Sequence, residues 1–220
     1  MINHFLNTSA LHALFGGTFD PIHYGHLWPV EALAKEIGLD KVTMLPNYMP
    51  PHKAHLSANA QQRLKMVELA ITGNPLFTVD DLELRRTNVS YTIETLESIR
   101  EKHGITQPLA FIIGYDSLLT LNQWYRWQSL LDLCHLLVLA RSGHHKPLNI
   151  PIIQQLLERH RVTDIRLLNK QTHGCIYLAN TPTLNISATK IRLLWPKGQY
   201  CNDMLPSSVI HYIKSERLYL

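Results

Sequence analysis

The sequence has few cysteines and no long hydrophobic run, and each shortage argues against a class of protein. Its three cysteines, Cys134, Cys175 and Cys201, are widely scattered and form no CxxC pair. A disulfide framework and a structural zinc site are therefore not expected. No run of about 18 apolar residues occurs, so no membrane span is expected, and the first residues do not resemble a signal peptide. These features favour a cytoplasmic protein.

Charged residues are also sparse, at 17% of the 220 residues, and the net charge is only +4. Lys and Arg are scattered, with Arg85 and Arg86 as the densest group. Nucleic-acid binding typically requires a basic stripe, so no nucleic-acid partner is expected. A small anionic substrate would account for the excess of positive charge. The length and the 45% hydrophobic content suit one core, so we predict a single domain over residues 1–220, as a monomer or a small homo-oligomer.

Apolar runs alternate with helical periodicity along most of the chain. The predicted strands are Leu11–Phe15, Lys41–Pro46, Leu76–Leu84, Leu109–Ile113, His135–Ala140 and Ile176–Ala179, and the predicted helices are His26–Ile37, Ala60–Ile71, Tyr91–His103, Ser187–Trp195 and Ser207–Glu216. This order predicts an α/β fold: a doubly wound, Rossmann-like parallel sheet with helices on both faces and a small C-terminal helical part. The segment Gly143–Thr172 is polar and irregular, and its role is undefined.

The stretch GGTFDPIHYGH, residues Gly16 to His26, follows the first predicted strand. Its glycines allow the backbone to approach a ligand, and a helix N-terminus attracts anions. His23 and His26 are three residues apart and can project to one side. A phosphate cradle, a metal site with a third ligand elsewhere, and a structural turn with incidental histidines all remain open. The familiar GxGxxG and GxxxxGK[ST] fingerprints are absent.

GGTFDPIHYGH resembles the HxGH signature of the nucleotidyltransferase superfamily, and Ile186–Arg192, ISATKIR, resembles its ISSTxxR signature. Four further segments resemble the bacterial nicotinate-mononucleotide adenylyltransferases: NYMPPHK (47–53), SYTIETL (90–96), FIIGYDSL (111–118) and WYRW (124–127). The resemblance covers essentially the whole chain. It departs from the pattern at Ala188, where the family has a second serine, and residues 143–172 match no motif.

The resemblance implies an enzyme that joins ATP and nicotinic acid mononucleotide, giving deamido-NAD and pyrophosphate in NAD biosynthesis. The mononucleotide phosphate attacks the α-phosphorus of ATP directly. Implied catalytic residues are His23, His26 and Arg192, and implied ATP contacts are Gly16, Gly17, Thr18, Phe19, His23, His26, Gly114, Ser187, Thr189 and Arg192. Implied mononucleotide contacts are His52, Lys53, Tyr91, Thr92, Asp116, Trp124 and Arg141. Mg²⁺ is expected to enter with ATP, held by substrate oxygens and water, with no metal ligand from the protein.

Alternatives remain for the function and for single residues. A sister transferase for phosphopantetheine or a cytidylyl group is the nearest one, followed by a non-catalytic nucleotide- or RNA-binding protein and a metal hydrolase. Ser90, Asp116 and Ser187 could serve only as helix N-caps. Trp124 could equally be a core residue.

Overall fold

The structure is a computed structural model that describes residues 10–49, 56–86, 89–141, 149–182, 184–199 and 201–220. Within these residues, seven strands alternate with eight helices. The strands are β1 (His12–Gly17), β2 (Val42–Pro46), β3 (Phe77–Val79), β4 (Leu109–Gly114), β5 (His135–Arg141), β6 (Arg161–Val162) and β7 (Ile176–Thr181). The helices are α1 (Tyr24–Ile37), α2 (Ala60–Ile71), α3 (Thr92–His103), α4 (Tyr115–Leu119), α5 (Pro151–His160), α6 (Leu167–Lys170), α7 (Ala188–Leu194) and α8 (Ser207–Ser215).

The seven described strands form one parallel sheet in the order β3-β2-β1-β4-β5-β7-β6. From β1 the chain first winds outward through β2 and β3, then returns to the other side of β1 and winds outward from β4. The connections that leave β1 and β4 therefore depart in opposite directions, which opens a crevice beyond the carboxyl ends of these two strands. The predicted doubly wound sheet is confirmed.

The sheet separates two hydrophobic cores because successive strand side chains point to opposite faces. In β1, Ala13 and Phe15 face one core and Leu14 faces the other. The first core is completed by α1, α2, α7 and α8, and the second by α3, α4 and α5. The predicted C-terminal helices thus cover the same face as the helix that begins at Tyr24.

The predicted strand Leu76–Leu84 is wrong beyond Val79. Asp80 accepts the Leu82 N–H through Oδ1 at 2.8 Å, and the Leu84 N–H donates to the Asp81 carbonyl at 2.8 Å. An aspartate that bonds the backbone two residues ahead replaces the strand ladder with a turn. The alternating pattern of this segment therefore reflects side-chain burial in a turn rather than an extended chain.

The expectation that Gly143–Thr172 is irregular is also wrong from residue 151 onward; residues 143–148 lie outside the described part. Pro151 begins α5, a position that suits proline because the first helical N–H has no intrahelical partner. Ile153 of α5 is fully buried, and β6 pairs with β7 at the sheet edge. The segment extends the same sheet by one strand.

Candidate active site

An open cleft of about 300 Å³ lies where the sheet order reverses, beyond the ends of β1 and β4. Its walls come from the β1–α1 turn, the β4–α4 junction, and the residues that follow β7. Seven residues predicted for ligand binding line it: Gly16, Gly17, Phe19, His26, Gly114, Asp116 and Trp124. Ile186, from the second motif, also lines the cleft. Two sequence segments more than 150 residues apart therefore share one cavity.

The two histidines of the opening motif are stacked at the start of α1. Their ring centroids are 3.7 Å apart, with 19° between the planes. His26 lines the cleft, and its Nδ1 accepts the His23 backbone N–H at 3.3 Å. A neutral His26 ring therefore carries its proton on Nε2. This tautomer places an N–H donor at Nε2, on the opposite side of the imidazole from Nδ1.

His23 is the N-cap residue of α1 and is only 4% exposed. Its Nδ1 is buried and finds no partner from another described residue. Burial lowers the His23 pKa from 6.5 to about 4, because a charged imidazolium loses its solvation there. His23 is therefore neutral at pH 7.

The glycines of the motif make room for neighbouring protein groups. A Cβ at Gly16 would come within 2.7 Å of the Phe111 ring, and one at Gly17 would come equally close to the Phe19 ring. Both glycines also line the cleft. Their absent side chains admit internal aromatic packing, in addition to any ligand that approaches the backbone.

Gly25 is where the two motifs meet. A Cβ there would lie 2.9 Å from Nδ1 of His23 and 3.1 Å from the Ile186 carbonyl oxygen. The segment before α7 can therefore approach the first turn of α1 only because this position lacks a side chain.

Arg192 connects the same motifs through its guanidinium. It donates from Nη1 to the backbone carbonyl of Asp20, and Nη2 lies 3.5 Å from Oγ1 of Thr189. Ser187 is the N-cap of α7, and its Oγ accepts the Lys190 N–H at 3.2 Å. The capping interpretation of Ser187 is confirmed, while its proposed phosphate contact stays a prediction.

The end of the cleft near Trp124 contains an aromatic pair that the sequence did not predict. Trp124 is half-buried and lines the cleft. Its neighbour Tyr125 instead packs against Tyr91, with ring centroids 4.7 Å apart. Tyr91 precedes Thr92 as the N-cap residue of α3. The WYRW and SYT segments are therefore in contact, and their aromatic content was the available signal.

Two N-cap interpretations are wrong. Ser90 precedes the cap, and its Oγ accepts the Tyr48 N–H at 3.1 Å, which ties α3 to the loop after β2. Asp116 lies within the first turn of α4, whose N-cap is Gly114. In each case the N-cap of the helix lies one or two residues away from the residue whose side chain suggested a cap.

The remaining predicted residues are less informative. His52 and Lys53 lie outside the described residues. Arg141 is the last residue of β5 and pairs with Thr181, so its backbone is at the carboxyl edge of the sheet.

Among the described residues, no group of three or more His, Cys, Asp or Glu side chains could hold a metal ion. No helix in the described ranges is long and apolar enough to cross a membrane.

The helical pattern of α2 concealed a buried arginine. Leu64 of this helix is only half-buried, whereas its neighbour Arg63 is fully buried. Arg63 donates to the Thr18 carbonyl of the opening motif at 2.8 Å. Sequence reasoning missed this residue, and its position beside the predicted apolar face was the only signal.

Comparisons with known proteins agree with this geometry. A family model described as cytidylyltransferase-like matches residues 14–194. A probable nicotinate-nucleotide adenylyltransferase of Serratia proteamaculans is 65% identical over 213 residues, 97% of each chain, and one of Yersinia pestis is 60% identical over 210 residues, 96% of each chain. The solved Plasmodium falciparum nicotinic acid mononucleotide adenylyltransferase complexed with NaAD has a TM-score of 0.73 at 20% identity, covering 96% of this chain and 97% of its own, and shows the shared fold. The chain belongs to the nicotinate-nucleotide adenylyltransferase family of cytidylyltransferase-like nucleotidyltransferases.

Proposed function

We propose that this protein transfers the adenylyl group of ATP to nicotinic acid mononucleotide, giving deamido-NAD and pyrophosphate, a step of NAD biosynthesis. The observation that carries the proposal is the meeting of both nucleotidyltransferase motifs beside one cleft. Gly25 admits the Ile186 carbonyl, and Arg192 binds the Asp20 carbonyl. Relatives at 65% and 60% identity, named for this reaction, support the same chemistry.

The reaction needs no covalent enzyme intermediate. An oxygen of the mononucleotide phosphate, already an anion, attacks the α-phosphorus of ATP. The bond from that phosphorus to the bridging oxygen breaks, and its electron pair leaves with pyrophosphate. Because no proton must be removed from the nucleophile, positioning and stabilisation of charge supply most of the rate. The buried free thiols of the chain have no role in such a step.

His26 is proposed to hydrogen-bond an α-phosphate oxygen through Nε2. The support is its position in the cleft and the His23 N–H on Nδ1, which holds the ring in the tautomer with a donor at Nε2. The resemblance also implies an ATP contact for His23, but His23 is buried and does not line the cleft, so we propose that it acts by supporting the stacked His26 ring. Gly16, Gly17, Thr18, Phe19 and Gly114 would complete the ATP contacts.

Arg192 is proposed to bind the leaving pyrophosphate. A guanidinium carries five N–H donors, so one bond to the Asp20 carbonyl leaves donors for phosphate oxygens. Ser187 and Thr189 would donate hydroxyl hydrogen bonds to the same phosphates. Mg²⁺ enters as part of the ATP substrate and neutralises phosphate charge. Asp116 is the single carboxylate among the described residues that line the cleft, which fits an ion held mainly by substrate oxygens and water.

On the acceptor side, Trp124 is proposed to stack on the pyridine ring and Asp116 to accept from a ribose hydroxyl. The backbone N–H groups at Tyr91 and Thr92 would bind the nicotinate carboxylate at the start of α3. His52, Lys53 and Arg141 are proposed for the mononucleotide phosphate and the rim of its site. We place the reaction in the cytoplasm, because Cys134, Cys175 and Cys201 are all free thiols, as a reducing compartment favours.

Pyrophosphate release tests this assignment directly. The protein is incubated with Mg²⁺–ATP and, in separate arms, nicotinic acid mononucleotide, phosphopantetheine or no acceptor, with CTP replacing ATP in a fourth arm. We expect pyrophosphate and deamido-NAD only in the first arm. Product with phosphopantetheine or from CTP, and none in the first arm, would instead indicate a sister transferase. Chelator-resistant zinc with no transfer would support the metal hydrolase.

A further inference from the structure

A buried polar cluster lies at the β1–α1 turn, and its side chains take no part in the mechanism above. It consists of Asp20, Arg63 and Tyr219, which are 4%, 0% and 9% exposed. Charged and hydroxyl groups are rarely buried to this extent unless they are hydrogen-bonded. Asp20 and Arg63 bond different backbone segments around the site, and Tyr219 donates to Asp20, so the cluster connects segments far apart in sequence.

Asp20 is the centre of the cluster. The Tyr219 hydroxyl donates to its Oδ1 at 2.7 Å, the Ala58 N–H donates to Oδ1 at 3.1 Å, and the Ser57 N–H donates to Oδ2 at 3.0 Å. Its backbone carbonyl accepts from Arg192. The carboxylate also raises the Tyr219 pKa, after burial itself, so the hydroxyl stays protonated as the donor. Asp20 thus joins the opening turn to the start of α2 and to the residues after α8.

Arg63 distributes its donors over backbone carbonyls at the ends of two strands. Nη1 donates to Thr18 at 2.8 Å and to Asn47 at 2.7 Å, and Nη2 donates to Tyr48 at 2.8 Å. The loops after β1 and β2 are therefore held to one rigid guanidinium fork. Burial lowers the Arg63 pKa, and the nearby Asp20 charge opposes that shift.

The turn that the cluster holds is strained. Phe19 has φ of 50°, a left-handed conformation that non-glycine residues rarely adopt. This conformation directs the Phe19 ring against His26, with centroids 5.2 Å apart and the planes nearly perpendicular. Because Phe19 and Asp20 are consecutive, bonds that fix the Asp20 carboxylate also fix the backbone that presents Phe19 to the imidazole.

We infer that Tyr219 is a positioning residue for adenylyl transfer: its hydroxyl holds Asp20, and through Asp20 and Phe19 it keeps the His26 imidazole in place. The inference rests on the proposed function for its kinetic consequence, but the geometry that it describes stands without it. Asp20 and Arg63 complete the same support.

The test compares Tyr219→Phe with Tyr177→Phe, each of which removes one hydroxyl bonded to a carboxylate. Tyr177 donates to Glu36 at 2.6 Å, between β7 and α1 and away from the cleft lining, so it is a matched control. We expect Tyr219→Phe to lower kcat by about 10-fold with less than a twofold change in either KM, a loss near the lower end of that for one hydrogen bond to a charged group. Tyr177→Phe should leave both parameters within twofold. Equal kcat values for the two variants would overturn the inference.

A double-mutant cycle tests whether the effect passes through His26. In a His26→Ala background, Tyr219→Phe should lower kcat by less than twofold, because the imidazole to be positioned is gone. An undiminished 10-fold loss there would contradict the route. Should Tyr219→Phe fail to fold, Asp20→Asn carries the test; it keeps one acceptor oxygen, and wild-type kcat in that variant would overturn the inference.

Hydrogen exchange separates this inference from the proposed function. In Tyr219→Phe we expect faster exchange at the amides of residues 18–26 and of Ser57 and Ala58, with protection elsewhere unchanged. This readout needs no substrate. Unchanged exchange at these amides would overturn the positioning role even in an active enzyme. The protein could instead show faster exchange there and yet release no pyrophosphate from ATP and nicotinic acid mononucleotide. That result would mean that the reaction is misassigned, while the positioning of the turn by Tyr219 is correct.

Discussion

His23 and His26 lie three residues apart, yet burial gives them different chemistry. His23 is nearly excluded from solvent, and its pKa is lowered to about 4, so it is a neutral ring at pH 7. His26 borders the cleft and uses Nδ1 to accept an amide hydrogen. Since the rings stack at 3.7 Å, a proton on His23 would act on its neighbour at short range.

Acid should weaken the fold as His23 becomes charged. The ring titrates near 6.5 in the unfolded chain and near 4 in the folded protein, so between these values the unfolded state binds the extra proton. The His23 contribution is intact above pH 6.5 and is lost as the pH falls toward 4, by up to about 3 kcal/mol. Urea unfolding between pH 7 and 4.5 measures this loss.

Two variants isolate the His23 effect from that of other titrating groups. His23→Gln has no titratable ring and should reduce the dependence of unfolding free energy on pH. His211→Gln, at an exposed position on α8, should keep the wild-type dependence. The same pH dependence in His23→Gln and the wild type would show that burial does not suppress protonation of this ring.

His26→Ala should lower kcat by about 10²-fold while changing the ATP dissociation constant by less than about threefold. The reason is that the proposed contact strengthens as charge develops on the α-phosphate. Steady-state kinetics and calorimetric ATP titration give the two quantities, with His211→Ala as the control. Comparable losses in ATP binding and in rate would mean that His26 stabilises bound ATP as much as it stabilises the transition state.

Trp124→Ala should raise the KM for nicotinic acid mononucleotide by about 10-fold, since stacking of one ring contributes on the order of 1–3 kcal/mol. The KM for ATP should stay nearly unchanged. Trp28→Ala is the control, because Trp28 is an exposed indole stacked on Tyr24 that does not line the cleft. An unaltered mononucleotide KM in a folded Trp124→Ala protein would exclude the stacking role.

The turn between β1 and α1 is the element on which both halves of the site depend. Next to this turn, the two glycines at the end of β1 admit the Phe111 and Phe19 rings, and Gly25 in the first turn of α1 admits His23 and the Ile186 carbonyl. The turn is therefore shaped by its neighbours as much as by its own sequence. A side chain at Gly25 would disturb the site through contacts, since Gly25 has no left-handed backbone conformation to lose.

Gly25→Ala and Gly104→Ala should have opposite effects. A Cβ at Gly25 meets the backbone at 3.1 Å, so we expect kcat to fall at least about 10-fold with little change in melting temperature, because Ala favours a helix. Gly104 has φ of 73° and open space around it, so Gly104→Ala should cost about 1 kcal/mol of stability and no activity. Wild-type kcat in Gly25→Ala would mean that the two motifs can separate without cost.

The elements predicted from periodicity were reliable where one residue spacing dominated. β1, β2, β4 and β5 are rich in apolar residues, and α1 and α3 carry apolar stripes, so local burial and local conformation agree. The predicted β3 extends too far because a side-chain turn at Asp80 follows it. The prediction overlooked α5, although PIIQQLLERH carries apolar residues at helical spacing within a largely polar segment. Helix starts shifted by one or two residues where tertiary contacts, as at Ser90, used the capping side chain elsewhere.

At the scale of the whole molecule, the three thiols report on global unfolding. Cys134, Cys175 and Cys201 are buried, and burial raises all three pKa values, that of Cys134 to about 12. We expect a thiol reagent at pH 8 to label none of them in the native protein and all three in guanidinium, because the thiolate is the reactive form. Native labelling faster than global unfolding would reveal local opening around that cysteine.

The sequence by itself determined the fold class, the order of its main elements and, through resemblance, the two motifs and their chemistry. These features depend on hydrophobic spacing and on short runs of residues, which are local properties. Only the tertiary structure decided how the motifs touch: the Ile186 carbonyl beside Gly25, Arg192 on the Asp20 carbonyl, and Tyr219 beneath the opening turn. The Arg192 and Tyr219 bonds span 172 and 199 positions of the sequence, respectively. Such contacts exist only because the folded sheet returns distant segments to one edge, which no local pattern encodes.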